Sequence, residues 1–170
     1  MIMLRFLIWF LVLQLVLFSL EMLQPIQQAI ILPWTSFIAH LSSLLLSAFD
    51  SSVQSSGKVI SNTLNDFAIS IEPGCNGVEA MIVLAAALIA FPTTWTYKIK
   101  GLWWGTLAIQ ALNLVRIISL FYLGQWSREL FDWAHLYVWQ ALIMLDALVV
   151  FLVWIRHLPN TPTQSQAVAL

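Results

Sequence analysis

Residues 101–123 read GLWWGTLAIQALNLVRIISLFYL. At about 1.5 Å per residue this stretch makes a helix about 35 Å long, enough to cross a hydrocarbon layer of roughly 30 Å. Its one charged residue is Arg116. Working outward, the same apolar character recurs at Ile2–Leu20, at about Asn76–Phe91, where Pro92 stops it, and at about Tyr137–Ile155. The chain is 61% hydrophobic and 9% charged, against roughly 45–50% and about 25% for a soluble domain. A domain of 170 residues cannot hide that much apolar surface in one core. The excess faces lipid, so the chain is an integral membrane protein.

Between these spans the pattern changes. Over Pro33–Phe49, apolar Trp34, Phe37, Leu41 and Leu44 recur at helical steps, while Ser36, His40, Ser43 and Ser47 line another face. This predicts an amphipathic helix, with Pro33 in its first turn, that lies in the interface or packs on the bundle rather than crossing the membrane. Asp50–Lys58 is Ser-rich and reads as a connector. Val59–Thr63 and Phe67–Ile71 alternate around Asn65-Asp66 and predict a short hairpin. The expected fold is therefore all-α: a bundle of about four transmembrane helices plus an amphipathic helix and a short extracytoplasmic hairpin. Three parts follow: residues 1–58 (anchor, amphipathic helix and linker), a membrane core at 59–157, and a polar tail at 158–170. Ile2–Leu20 reads as a retained anchor, because no small-x-small cleavage site follows it.

Composition excludes several functions. A net charge of −1 with seven Lys and Arg leaves no footprint for nucleic acid. Cys75 is the single cysteine, which rules out an intramolecular disulfide, a CxxC redox pair and a Cys-rich zinc site. Thiol–disulfide exchange fails with them for want of a resolving thiol. No cofactor or metal is expected. Lys98, Lys100, Arg156 and His157 fall on one side of the spans, which the positive-inside rule makes cytoplasmic; Arg5 agrees if four spans are present. Five spans would put the N-terminus outside.

Three polar residues then share a depth. Counted from the cytoplasmic ends, Cys75 stands roughly 24 Å up, Arg116 roughly 23 Å and His135 roughly 30 Å, agreement to about a helical turn. Cys75 follows Pro73-Gly74 at a helix start, where N–H groups favour a thiolate; a free cysteine is equally often a small buried hydrophobe. Arg116 costs roughly 2.5–3.5 kcal/mol inside a span. It reads as a fixed charge for a developing oxyanion, as a snorkelling side chain, or as half of a structural pair with Glu79 or Asp146. His135 is a candidate acid/base because imidazole titrates near neutrality. Glu79 lies one turn from Cys75 and is expected to balance the arginine rather than to orient Arg116 or His135, and Asn113, three residues before Arg116, to position it. Asp146 has no assigned role; His40 and His157 read as structural.

Gly74-Cys75-Asn76-Gly77-Val78-Glu79-Ala80, then Asn113-Leu114-Val115-Arg116-Ile117, then His135 ahead of Val138-Trp139-Gln140 resemble the exosortase/archaeosortase family, and most of all exosortase H. The resemblance covers about Val59–Arg156. It implies a multi-pass cysteine peptidase or transpeptidase of the inner (cytoplasmic) membrane with its site on the extracytoplasmic side. Carried onto this chain, Cys75 is the nucleophile, His135 the general acid/base and Arg116 the stabiliser of the tetrahedral intermediate. The implied partners are secreted proteins with a C-terminal sorting signal: a short motif of the Ile-Pro-Thr-Leu…Trp-Gly type, a hydrophobic helix and a basic cluster. The competing expectation is a non-catalytic membrane scaffold or transport-complex subunit with a structural Arg–carboxylate pair.

Overall fold

The computed structural model describes residues 2–158; apart from Leu158, the expected polar tail lies outside them. Helix α1 spans Ile2–Glu21, and α2 runs through Gln24–Ser47. Strands β1 (Val53–Ser56), β2 (Val59–Asn62) and β3 (Ala68–Ser70) follow. Then come α3 (Val78–Ala90), α4 (Trp95–Trp126) and α5 (Arg128–Arg156). Four helices, α1, α2, α4 and α5, are long and apolar enough to cross a membrane. The protein is thus a multi-pass, predominantly helical membrane bundle carrying a small sheet.

Several boundaries differ from expectation, each for a local reason. The amphipathic helix begins at Gln24 rather than Pro33, with Pro25 in its first turn, where a missing N–H costs nothing. Pro33 stays inside α2 because a π-helical stretch at Gln27–Ile31 widens the turn just before it, relieving the clash a proline ring makes with the preceding turn. The connector over Asp50–Lys58 contains β1, so the hairpin is a three-stranded antiparallel meander. Its register pairs Val53 with Asn62 and Val59 with Ser70. The polar loop before His135 is helical from Arg128, with the Ser127 hydroxyl accepting from the Leu130 N–H. The helix expected to span over Asn76–Phe91 is shorter, thirteen residues, and is not among the four long enough to cross; Gln24–Ser47, expected to lie beside the membrane or on the bundle, takes its place.

Two hydrophobic clusters build the molecule. In the first, α3, α4 and α5 interlock through Ala80, Leu84, Leu88, Ile109 and Ala147. Gly101 and Gly105 let α4 approach its neighbours: a Cβ on Gly101 would meet the Trp154 ring, and one on Gly105 the Leu84 side chain. Helix α1 packs along α3, with Phe6 against Phe91 and Phe151. The second cluster joins α2, the sheet and the far half of α4 through Ile38, Ala39, Leu46, Ile60, Ile117 and Phe121. At 32 residues α4 is about 48 Å long, well beyond a hydrocarbon layer of about 30 Å, and it threads both clusters. Between Ile109 and Ile117, its buried contacts turn polar: Gln110, Asn113 and Arg116. Lys98 lies at the other end of α4, where its ammonium donates to the Ile89 carbonyl at 2.5 Å.

Candidate active site

The polar stretch of α4 receives the loop between β3 and α3, Glu72-Pro73-Gly74-Cys75-Asn76-Gly77. Its turn is closed by the Cys75 N–H donating to the Glu72 carbonyl at 2.9 Å and by the Gly74 N–H donating to the Glu79 carboxylate. Just before α3, the Asn76 side-chain oxygen accepts from the Val78 N–H at 3.0 Å, closing a turn within the loop. Gly77 has φ +78°, and a Cβ there would lie 2.6 Å from Gln110 Nε2. Only glycine takes this left-handed conformation without strain and also leaves room for that amide.

A buried amide network holds the loop from both sides. Gln110 Nε2 donates to the Asn76 carbonyl at 3.3 Å, and Asn113 Nδ2 donates to Gln110 Oε1 at 3.4 Å. Across the loop, Asn76 Nδ2 donates to Thr35 Oγ1 on α2 at 3.0 Å. Asn76 and Asn113 are both fully buried. Buried amides are costly unless partnered, so this network fixes the loop in one position.

Into that position comes Arg116, 1% exposed. Its Nη1 donates to the Gly74 carbonyl at 3.0 Å and its Nη2 to Cys75 Sγ at 3.4 Å. The planar fork thus spans the backbone before the cysteine and the sulfur itself, which a point-charge ammonium could not do. His135 faces the same sulfur, with Nε2 at 3.8 Å from Sγ. It lies in a π-helical stretch of α5, Ala134–Val138, and such wide turns re-aim a side chain relative to an α-helical register. Phe131 stacks on the imidazole with ring centroids 5.6 Å apart and planes 5° from parallel.

The sulfur, the guanidinium and the imidazole therefore meet, as the shared depth predicts. Four local expectations are corrected. Cys75 is not in the first turn of a helix: α3 begins at Val78, and its cap is Gly77. Its environment also differs, since burial pushes the Cys75 thiol above its ordinary range; the Arg116 charge opposes this, while Glu79 and Glu72 add to the rise. Glu79 does not pair with Arg116; it binds the Gly74 N–H. Asn113 holds Gln110 and has no hydrogen bond to Arg116. Among the described residues the one ion pair is Lys58–Glu72 at 2.6 Å, so Arg116 has no carboxylate partner in either Glu79 or Asp146. Asp146 is buried on α5 with Oδ2 unpartnered among the described residues and contributes to no contact at the site. His40 Nδ1 lies 3.4 Å from Ser55 Oγ on β1, and His157 Nδ1 bonds the Val153 carbonyl at 2.8 Å.

Thr35, Asn76, Gln110 and Phe131 are site residues that sequence reasoning missed. Gln110 and Asn113 could have been found together, since polar amides one turn apart in an apolar span must face each other or a partner. Thr35 and Phe131 carry no such signal. Among the described residues no group of His, Cys, Asp and Glu could hold a metal ion. Chemically, the arrangement offers a thiol, a base within reach of its proton, and a fixed cation whose buried Nε has no partner among the described residues.

A family model described as Transmembrane exosortase (Exosortase_EpsH) matches residues 2–161. No curated protein and no solved structure matches the chain.

Proposed function

Because this chain belongs to the transmembrane exosortase family, a family of membrane proteins that process sorting signals, we propose that it is a cysteine peptidase or transpeptidase. It acts on secreted proteins whose C-terminus carries a short recognition motif, a hydrophobic helix and a basic cluster. The observation that carries the reading is Cys75 Sγ lying between Arg116 Nη2 at 3.4 Å and His135 Nε2 at 3.8 Å.

The chemistry follows from those positions. Burial keeps the thiol protonated at rest, so His135 must take its proton as the sulfur attacks the scissile carbonyl. Negative charge passes from the sulfur to the carbonyl oxygen. Arg116, already desolvated and held by the Gly74 carbonyl, supports that charge without reorganising. His135 then gives its proton to the leaving amine, and water or an acceptor amine resolves the thioester. Enzyme and substrate share the bilayer, so the substrate's anchor helix delivers the bond at a fixed height, reducing the search to orientation. The site lies at the end of α4 away from Lys98 and Lys100. With those lysines on the cytoplasmic side, the site opens on the outer face of the cytoplasmic membrane.

The test is a mass measurement of a sorting-signal substrate's new C-terminus after co-expression. Wild type yields a product cut next to the anchor helix. Cys75→Ala inserts in the membrane to the same level and yields none; processing by that variant would rule the mechanism out.

A further inference from the structure

The two edges of the sheet have unlike surroundings. Strand β1 lies against α2, where His40 Nδ1 and Ser43 Oγ stand 3.4 and 3.0 Å from Ser55 Oγ. Strand β3 is the other edge, and β2 is the one element it packs on extensively among the described residues. The register fixes where its peptide groups point. The Asn62 N–H donates to the Phe67 carbonyl at 2.8 Å, and the Ile71 N–H to the Lys58 carbonyl at 3.0 Å. Ile60 stands opposite Ile69 midway between these bonds. By the alternation of an antiparallel ladder, Phe67, Ile69 and Ile71 turn their peptide groups toward β2. Ala68 and Ser70 therefore turn theirs away from the sheet, and both residues are exposed. Ile69 packs on the core of Ile60, Ile117 and Phe121, so the outward N–H and C=O groups sit on an anchored strand. Such an edge is a template for another extended chain.

This edge runs directly into the site. Cys75 lies five residues after Ser70, beyond buried Ile71 and the turn that the Cys75 N–H closes on the Glu72 carbonyl. From there α3 leads away to the end of the molecule where Lys98 holds the Ile89 carbonyl. Resting on the peptidase/transpeptidase reading above, we propose that the free edge of β3 is the substrate-recognition site. The extended segment ahead of the substrate's hydrophobic helix joins the sheet there as a fourth strand, parallel to β3. The direction follows from topology. The substrate runs from an outer motif through a helix to a basic cluster that belongs on the cytoplasmic side, the same course as β3, the cysteine loop and α3. An antiparallel strand would have to reverse between the sheet and the sulfur. At about 3.3 Å per residue, the substrate residue opposite Ser70 stands within about 17 Å of Cys75, so the cut falls no more than about five residues after it. Only alternate substrate amides face β3.

The test uses the full chain in vesicles and a synthetic peptide carrying the recognition motif, hydrophobic helix and basic cluster. The six residues ahead of the hydrophobic helix are N-methylated one at a time, and kcat/KM is read from product mass. Methylation at alternate positions lowers kcat/KM at least tenfold, and at the positions between them less than threefold. Cleavage without this period of two overturns the proposal and leaves the peptidase reading standing. Binding is measured separately on Cys75→Ala protein, by energy transfer from its tryptophans to a dansyl group on the peptide. The same alternation in Kd supports the edge even if wild type cuts nothing, a result that would count against the peptidase reading alone; no saturable binding overturns the edge. Ser70→Pro removes an outward N–H that the sheet does not use, a position where an edge strand tolerates proline. It weakens binding at least tenfold while thermal unfolding stays within a few degrees of wild type. Equal binding by folded Ser70→Pro refutes the proposal, and so does dimerisation through this edge that Ser70→Pro abolishes while peptide binding shows no alternation. Should Ser70→Pro not fold, the methylation scan on the unaltered edge decides alone.

Discussion

Replacing Arg116 separates what a buried arginine does for the fold from what it does for the reaction. In Arg116→Met the guanidinium is lost, and with it the bonds to the Gly74 carbonyl at 3.0 Å and to Cys75 Sγ at 3.4 Å. A hydrogen bond to a charged group contributes about 1.5–3 kcal/mol. Against that, burying an arginine within a span costs roughly 2.5–3.5 kcal/mol. Two such bonds, about 3–6 kcal/mol together, are offset only in part by that cost, so stability should fall by at most about 3.5 kcal/mol. Activity has no such compensation. Removing a fixed donor from a developing oxyanion costs about 10²–10³ in kcat, or roughly 2.7–4 kcal/mol. Arg116→Lys should also fall at least tenfold, because an ammonium cannot hold the carbonyl and the sulfur together. Both variants would be measured in vesicles with a sorting-signal peptide, following product mass for kcat/KM, alongside thermal unfolding of the same preparations. Normal turnover by folded Arg116→Met refutes the catalytic role. A collapse in stability, with normal turnover per surviving molecule, would make the arginine structural.

Alkylation of Cys75 by a small thiol reagent should be slow at neutral pH and rise as pH increases, because burial holds the thiol above its ordinary range and the thiolate is the reacting form. Removing Arg116, which favours the thiolate, should slow alkylation further at every pH below the thiol's titration; a fast rate that is flat between pH 6 and 8 contradicts this. Phe131→Leu removes the stack on His135, a contact of about 0.5–1.5 kcal/mol. It should lower kcat about two- to tenfold with an altered pH profile and unchanged KM, whereas a purely structural role would leave the pH profile alone. Gly77→Ala forces a Cβ onto Gln110 at φ +78°. The left-handed conformation alone costs roughly 1–2 kcal/mol, so thermal unfolding should occur several degrees lower.

Three of the four long apolar helices were legible as spans before any coordinates, and the reasons are local; the fourth, Gln24–Ser47, reads chiefly as a helix beside the membrane or on the bundle. A run such as 101–123 declares itself by composition against a slab of known thickness, and an arginine inside it is conspicuous whatever it touches. What composition could not give were elements defined by partners. Strand β1, with the sequence Val-Gln-Ser-Ser, has one apolar residue and exists because β2 and α2 lie against it. Helix α2 begins nine residues before Pro33 because a π-helical turn accommodates that proline. The roles of Glu79 and Asn113 were misread for the same reason: spacing along one helix shows which residues share a face, not which neighbour that face meets.

The sequence by itself determined that the chain lives in a membrane, and it set the expectation that its thiol, guanidinium and imidazole share a depth, because hydrophobicity and helical rise are properties of each segment alone. Only the tertiary structure decided that the three groups face one another. That depends on the rotation of each helix about its own axis, which is set by packing between segments far apart in the chain: Gln110 against Gly77, Thr35 against Asn76, and the wide turn that carries His135.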